Sequence, residues 1–262
     1  SDSTAPTLSA ISLSSTSIDT TGDPQTVTLD ITLADNFSLP DSAMNFQITM
    51  RPISGGTQSI SFYGSTYQME SGGTATSRRF LIPSTFPPGS TTGNWAVTYL
   101  YMYDNLGSYA SMNTAEVEAI NSNMVINNTA SSADSTAPTL VTMSMTPTTI
   151  DTSSSSQAVT LTITLADDFA LPNSAMNFQL TMRPTTGTQS VSFYASTYQA
   201  ESGATSTQRT FIIQGNFPQG SVGGTWTLDY LYMYDNLGNY RSLNSTQVNG
   251  QGFVTQVTNN AS

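Results

Sequence analysis

Between Gln25 and Ala34 the chain reads QTVTLDITLA, in which Val27, Leu29, Ile31 and Leu33 alternate with Thr28, Asp30 and Thr32. A hydrophobic period of two predicts a strand with one face buried. Val159, Leu161, Ile163 and Leu165 repeat the pattern, and Met44, Phe46, Ile48 and Met50 in AMNFQITM share a face in the same way. SISF and RRFLI add shorter alternating stretches, while Pro and Gly gather in FPPGSTTGN and FPQGSVGGT between them. No helical period competes with this reading. The pattern predicts strands over roughly Thr7–Leu13, Gln25–Ala34, Ala43–Arg51, Thr57–Phe62, Thr76–Ile82 and Trp95–Tyr103, and a broken last strand ending near Val125–Asn127.

The chain is its own best comparison. DSTAPTL begins at Asp2 and returns at Asp134, and the Asp of SID at Asp19 returns at Asp151, both 132 positions on. RPISGGTQ in the first copy is RPTTGTQ in the second, one residue shorter, after which the offset is 131: Glu70 maps to Glu201, Trp95 to Trp226 and Asp104 to Asp235. YLYMYDNLG stands unchanged at Tyr99 and at Tyr230. A tandem duplication follows, with domains over 1–132 and 133–262 joined by the small polar stretch NNTASSAD. About seven strands per copy, with turn residues between them, predict an all-β protein of two tandem antiparallel sandwiches of immunoglobulin type.

Composition narrows the chemistry. Of 262 residues, 37% are hydrophobic, enough for real cores, and only 9% are charged, with a formal net charge of −11. That balance disfavours phosphate backbones and anionic lipid surfaces, so neither a nucleic acid nor membrane insertion is expected. No run of residues has the length and apolarity of a membrane span, and the chain starts without a leader, as a mature or excised piece would. There is no Cys, no His and no Lys, every cation being Arg. This removes the Ser-His-Asp triad, thiolate nucleophiles, ordinary zinc sites, Schiff bases and Lys–Asn isopeptide staples. Oxygen chemistry remains, which suits a hard cation such as calcium. The sequons at Asn36, Asn127, Asn244 and Asn260 arise readily in so Ser/Thr-rich a chain.

If successive strands alternate in direction, the ends of the second, fourth and sixth strands meet the linker at one pole. Asp2, Asp35, Glu70 and Asp104 then converge, as do Asp134, Asp167, Glu201 and Asp235 in the second copy, with Asp168 and Asn173 nearby. These positions are acidic in both copies, whereas Asp23, Asp30, Glu116 and Glu118 have no acidic counterpart. Packed carboxylates repel unless a counter-charge joins them, and calcium takes six to eight oxygens. A calcium site at each domain junction is one expectation; the other is that DNLG is a hairpin turn whose Asp accepts backbone hydrogen bonds. In YLYMY, a row of Trp and Tyr on an open sheet would form a sugar-stacking platform. Because Asp229 stands where the first copy has Thr98, the alternate face reads as wet and the Trp95, Val97, Tyr99, Tyr101 and Tyr103 face as core. Arg51-Pro52 and Arg183-Pro184 are read as loop-satisfying pairs.

The DSTAPTL opening, the LAD-D/N close of the second strand, the MRPxxGTQS segment and the YLYMYDNLGNY close together resemble bacterial immunoglobulin-like tandem repeats of secreted and surface-anchored proteins. The resemblance covers nearly the whole chain. It implies adhesin-type extender domains outside the cell, stiffened by calcium through linker and loop aspartates, with Asp2, Asp35 and Asp104 and their partners among the ligands. The sequence has DNFSLP and DDFALP where many relatives have DDxSG, and DNLGSY in its first copy. The expected protein is thus a non-catalytic extracellular module whose partners are neighbouring repeats, with a carbohydrate-binding module holding a surface glycan, a protein target, or a self-assembling filament or surface-layer subunit as alternatives.

Overall fold

The computed structural model describes residues 2–261. The chain divides into two compact units, Ser1–Asp134 and Ser135–Ser262, each an all-β sandwich. In the first unit the strands are β1 (Thr7–Leu13), β2 (Ser17–Ile18), β3 (Gln25–Ala34), β4 (Met44–Pro52), β5 (Ile60–Ser65), β6 (Ser77–Phe86), β7 (Gly93–Tyr103), β8 (Tyr109–Asn113) and β9 (Val125–Asn128), with a short helix α1 (Thr114–Ile120) between the last two. A three-stranded sheet runs β1-β3-β6, and a larger one runs β2-β9-β7-β4-β5 with β8 also paired to β7. The second unit repeats this as β10 (Thr139–Thr146), β11 (Thr149–Ile150), β12 (Gln157–Ala166), β13 (Met176–Pro184), β14 (Val191–Ser196), β15 (Gln208–Phe217), β16 (Gly224–Tyr234), β17 (Tyr240–Leu243), α2 (Ser245–Gly250) and β18 (Gln256–Asn259), with the same strand order.

The alternation read in QTVTLDITLA is the alternation seen. Val27, Leu29, Ile31 and Leu33 are fully buried and face the larger sheet, each contributing about 1.5–3 kcal/mol of transfer free energy. Across the sandwich, Phe86 meets Trp95 edge-on with centroids 5.1 Å apart, and Phe46 meets Phe80 at 5.3 Å. The second unit keeps both pairs, Phe217 with Trp226 at 5.0 Å and Phe178 with Phe211 at 5.4 Å. Trp95 Nε1 donates to Thr91 O at 2.8 Å, so the indole is buried without an orphaned donor.

Two features depart from the sequence reading. The break expected in the last strand is present, but it is filled by the helices α1 and α2, which were not expected, each begun by a reciprocal cap: Asn113 Oδ1 accepts from Glu116 N while Glu116 Oε2 accepts from Asn113 N, and Asn244 and Gln247 do the same. At six or seven residues these helices are too short to show a period. The second departure concerns β7. The pairing of β4 with β7 is regular from Phe46↔Met102 to Thr49↔Tyr99 and then skips Thr98, resuming at Met50↔Val97. This β-bulge shifts the parity of the strand. Trp95 and Val97 point inward on one side of it, Leu100 and Met102 on the other, all essentially buried. Tyr99, Tyr101 and Tyr103 consequently turn outward and are only half-buried. The expected single aromatic core face is corrected to a buried Trp and an outward row of tyrosines, repeated in the second unit by the skip past Asp229 between Tyr230 and Leu228.

Candidate metal centre

In the first unit the chain start and the ends of β3 and β7 meet. Asp2, Asp35 and Asp104 each offer a carboxylate oxygen within 4.8 Å of the others. Each carboxylate is held by one oxygen. Asp35 Oδ1 accepts from the backbone N–H groups of Phe37 and Ser38, both at 2.8 Å. Asp104 Oδ1 accepts from Leu106 N at 2.8 Å and Ser108 N at 2.7 Å, and Asp2 Oδ1 from Thr4 N at 3.1 Å and Thr4 Oγ1 at 2.8 Å. The turn chemistry anticipated for DNLG is therefore present. What a turn does not account for is the other oxygen: Oδ2 of Asp2, of Asp35 and of Asp104 is buried without a hydrogen-bond partner among the described residues.

A charged oxygen removed from water without a donor costs at least about 1–3 kcal/mol, and buried polar groups are rarely left so. Three such oxygens in one place form a donor set made only of carboxylate, with Asp35 9% and Asp104 5% exposed. That set fits a hard divalent cation, which would neutralise the mutual repulsion and use the three vacant lone-pair positions. The Thr4 hydrogen bonds hold the Asp2 carboxyl below its ordinary value. In the second unit Asp167 repeats Asp35, its Oδ1 accepting from Phe169 N at 2.9 Å and Ala170 N at 2.8 Å and its Oδ2 buried and unpartnered. Burial pushes this carboxyl up; the two N–H groups oppose that, and the charges of Asp235 and Asp168 add to it.

The units differ at the position repeating Asp104. Asp235 Oδ1 accepts from Leu237 N and Asn239 N, both at 2.8 Å, but its Oδ2 also accepts from Asn239 Nδ2 at 2.6 Å. Ser108 occupies the place of Asn239 in the first unit. Asp168 accepts the Thr136 hydroxyl, and Asn173 N donates to Asn236 Oδ1 at 3.4 Å. Asp134, the last residue of the first unit, is buried and donates its backbone N–H to Gly89 O at 2.9 Å.

Glu70 and Glu201 are placed elsewhere. A 3-10 turn over Thr66–Gln68 carries the chain from β5 to β6, where Met69 bridges to Phe80 and Glu70 N donates to Arg79 O at 2.8 Å. Glu70 thus lines a shallow depression on the smaller sheet with Thr32, Ser77 and Arg79, and Glu201 lies in the matching one beside Thr210. The three-aspartate group does not include Glu70. The connection reaches the site only at its far end, where Asp35 N donates to Thr76 O at 2.9 Å and Leu39 N to Ala75 O at 2.8 Å, while Glu70 lies earlier in it, against Arg79 on the smaller sheet.

Sequence reasoning missed the residues that hold the loops of the site. Arg78 is 4% exposed; its Nη1 donates to Pro40 O, to Asn45 Oδ1 at 3.1 Å and to Thr66 Oγ1 at 3.3 Å, and its Nε to Thr74 O at 3.1 Å. Arg209 repeats the network on Pro172 O at 2.5 Å, Asn177 Oδ1 at 2.9 Å and Thr197 Oγ1 at 3.1 Å, and burial pulls its guanidinium below the ordinary arginine value. The loop so fixed lies two residues from the one that donates to Asp35, and it is bound to the β7–β8 turn through Asn105 N to Ser38 O at 3.0 Å. A signal existed: Arg78 shares the parity of Phe80 and Ile82 and is Arg in both copies, whereas Arg79 becomes Thr210. Arg183, by contrast, pairs with Asp229 at 2.7 Å on the surface.

No family model and no curated protein matches the chain. Among solved structures, a leucine-rich repeat protein from Bacteroides thetaiotaomicron aligns over 86% of this chain and 25% of its own, with 10% identity and a TM-score of 0.19. The chain therefore spans about a quarter of that protein's length, and a similarity of this degree carries no argument about fold or function.

Proposed function

We propose that the chain is a pair of immunoglobulin-like structural repeats from an extracellular protein of adhesin type, a non-catalytic spacer whose units are rigidified by calcium. The observation that carries this reading is the trio of buried, partnerless carboxylate oxygens on Asp2, Asp35 and Asp104. Asp2 belongs to the segment entering β1, and Asp35 and Asp104 to the ends of strands in opposite sheets. One cation bound to all three would tie the entering chain to both layers of the sandwich. When bound, the ion supplies only positive charge and a coordination shell. The residues do the rest: the N–H groups of Phe37, Ser38, Leu106 and Ser108 orient the carboxylates, and Arg78 holds the supporting loop. A site built from fixed turns stabilises a shape. Calcium suits an extracellular setting, where millimolar ion would keep weak sites filled.

Thermal unfolding of the whole chain in calcium and in chelator tests the reading. Saturation at a hundredfold over Kd adds about 2.7 kcal/mol, a shift on the order of 10 °C for a unit of this size. Identical melting curves would leave the aspartates as turn residues only.

A further inference from the structure

Strand parity puts a tyrosine platform on the open side of the larger sheet, and we propose that this face binds a neutral polysaccharide. The inference stands on the sheet face and is independent of the cation. Four strands contribute one row in register: Tyr63 on β5 faces Gln47 on β4, Gln47 faces Tyr101 on β7, and Tyr101 faces Ser111 on β8. Beside it Tyr103 faces Tyr109. Tyr63 is 48% exposed and Tyr109 63%, and Tyr101 is braced against Tyr99 with ring centroids 5.1 Å apart. The second unit presents the same row, Tyr194, Gln179, Tyr232 and Ser242, with Tyr232 within 6.5 Å of both Tyr234 and Tyr240. Next to the row in the first unit lies a groove of about 370 Å³, lined by Pro40, Met44, Gln47, Tyr103 and Gly107 and also by Asp104 of the cation site, so the row of tyrosines and not the groove carries the inference.

The chemistry of the face selects its occupant. Every outward residue of the first unit's row is uncharged, and the chain carries −11 overall. A second copy, a nucleic acid, an acidic polysaccharide or an anionic membrane meets the chain's net negative charge, against which the outer face of β4 offers the exposed Arg51 and that of β13 offers Arg183, already paired with Asp229. An uncharged sugar chain meets no such repulsion. Pyranose rings present C–H faces that stack on aromatic rings and hydroxyls that bond to amides and phenols; here an amide lies between two tyrosines, and the ring bodies are apolar while the hydroxyl ends stay wet. Tyr63 and Tyr101 flank Gln47 from strands two apart, about 9–10 Å by ordinary strand spacing, roughly the span of two linked sugar rings.

Affinity electrophoresis of the whole chain in calcium-containing gels, with hydroxyethylcellulose, galactomannan or alginate included, tests the proposal. Retardation is expected in at least one neutral gel and not in alginate. Tyr101→Ala combined with Tyr232→Ala should weaken binding at least about tenfold, as truncation of a central aromatic anchor does. The more exposed pair Tyr63→Ala and Tyr194→Ala, which leaves the half-buried rings in place, should weaken it as well, with the far-ultraviolet dichroism of wild type. Unaltered mobility of the wild type in both neutral gels overturns the proposal, as does retention of the double variants. Concentration-dependent self-association in sedimentation that the same substitutions abolish also overturns it, by assigning the face to a second copy.

Discussion

Asp235 and Asn239 form a bond that Asp104 and Ser108 do not: the Asn239 side-chain amide donates to Asp235 Oδ2 at 2.6 Å, and the equivalent oxygen of Asp104 is buried with no partner. Four residues separate each pair, and one side chain decides whether the carboxylate is satisfied internally or left for a cation. Ser108→Asn should therefore transfer the second unit's arrangement to the first. The new amide competes with the ion for Oδ2, and a hydrogen bond to a charged group is worth about 1.5–3 kcal/mol. Calcium affinity of the first unit should fall about tenfold or more while stability in chelator rises, which titration calorimetry and parallel melts would show.

Removing the charge of Asp104 separates a ligand from a turn residue. Asp104→Asn keeps an oxygen for the N–H groups of Leu106 and Ser108 but relieves the repulsion among three clustered carboxylates. In calcium the variant should melt lower than wild type, by most of the chelator effect. In chelator it should melt at or above wild type. A loss of equal size under both conditions would identify Asp104 as structural alone.

The Arg78 network predicts a large and ion-independent loss. Arg78→Met takes the guanidinium donor from Thr74 O and Asn45 Oδ1 and leaves Pro40 O with the Thr66 hydroxyl alone, at a cost of about 3 kcal/mol. Arg78→Lys should recover less than half of that, since an ammonium cannot reproduce the forked geometry. Urea unfolding in calcium and in chelator should give the same loss.

Acid sensitivity should differ at one named pair. Arg79 grips Asp30 through Nε to Oδ1 at 2.9 Å and Nη2 to Oδ2 at 2.7 Å, and this bonding holds the Asp30 carboxyl below its ordinary value. A depressed carboxyl binds fewer protons folded than unfolded, so its contribution is present above the unfolded value of about 3.9 and vanishes as pH falls through the folded one. The pair is partly exposed, so the effect is small and screened by salt. Asp30→Asn should melt slightly lower than wild type at pH 7 and coincide with it near pH 2, measured at low ionic strength.

Much of this molecule was legible because its logic is periodic. The alternation at Val27–Leu33 names a buried face, and the duplication identifies the acids that recur; Asp2, Asp35 and Asp104 do meet. Glu70 does not join them, because alternating strand direction places a connection at a pole without saying which of its residues arrives at the site: Ala75 and Thr76 bond to Leu39 and Asp35, and Glu70 bonds to Arg79. The outward tyrosines were hidden for another reason. Parity arguments assume an unbroken ladder, and the skip at Thr98 lies in the pairing with β4, which a single strand's sequence does not record. Asp229, read as the mark of a wet face, sits instead at the bulge itself, bonded to Arg183 at 2.7 Å. The caps at Asn113 and Asn244 were visible in principle, since Asn followed three residues later by Glu or Gln begins a helix.

The irregular step beside Thr98 also bears on how such a module can change over time. Thr98 is the extra residue of the bulge, so deleting it would close the ladder with Val97 against Met50 and Tyr99 against Thr49, Leu100 and Met102 still inward and the tyrosines still outward. A residue inserted beyond the step, in the regular pairing from Tyr99 to Met102, would instead exchange inside for outside over the rest of the strand. Length is thus more constrained beyond the step than at it: the identical YLYMYDNLG of both halves begins just after it, while the bulged residue itself is Thr98 in one copy and Asp229 in the other.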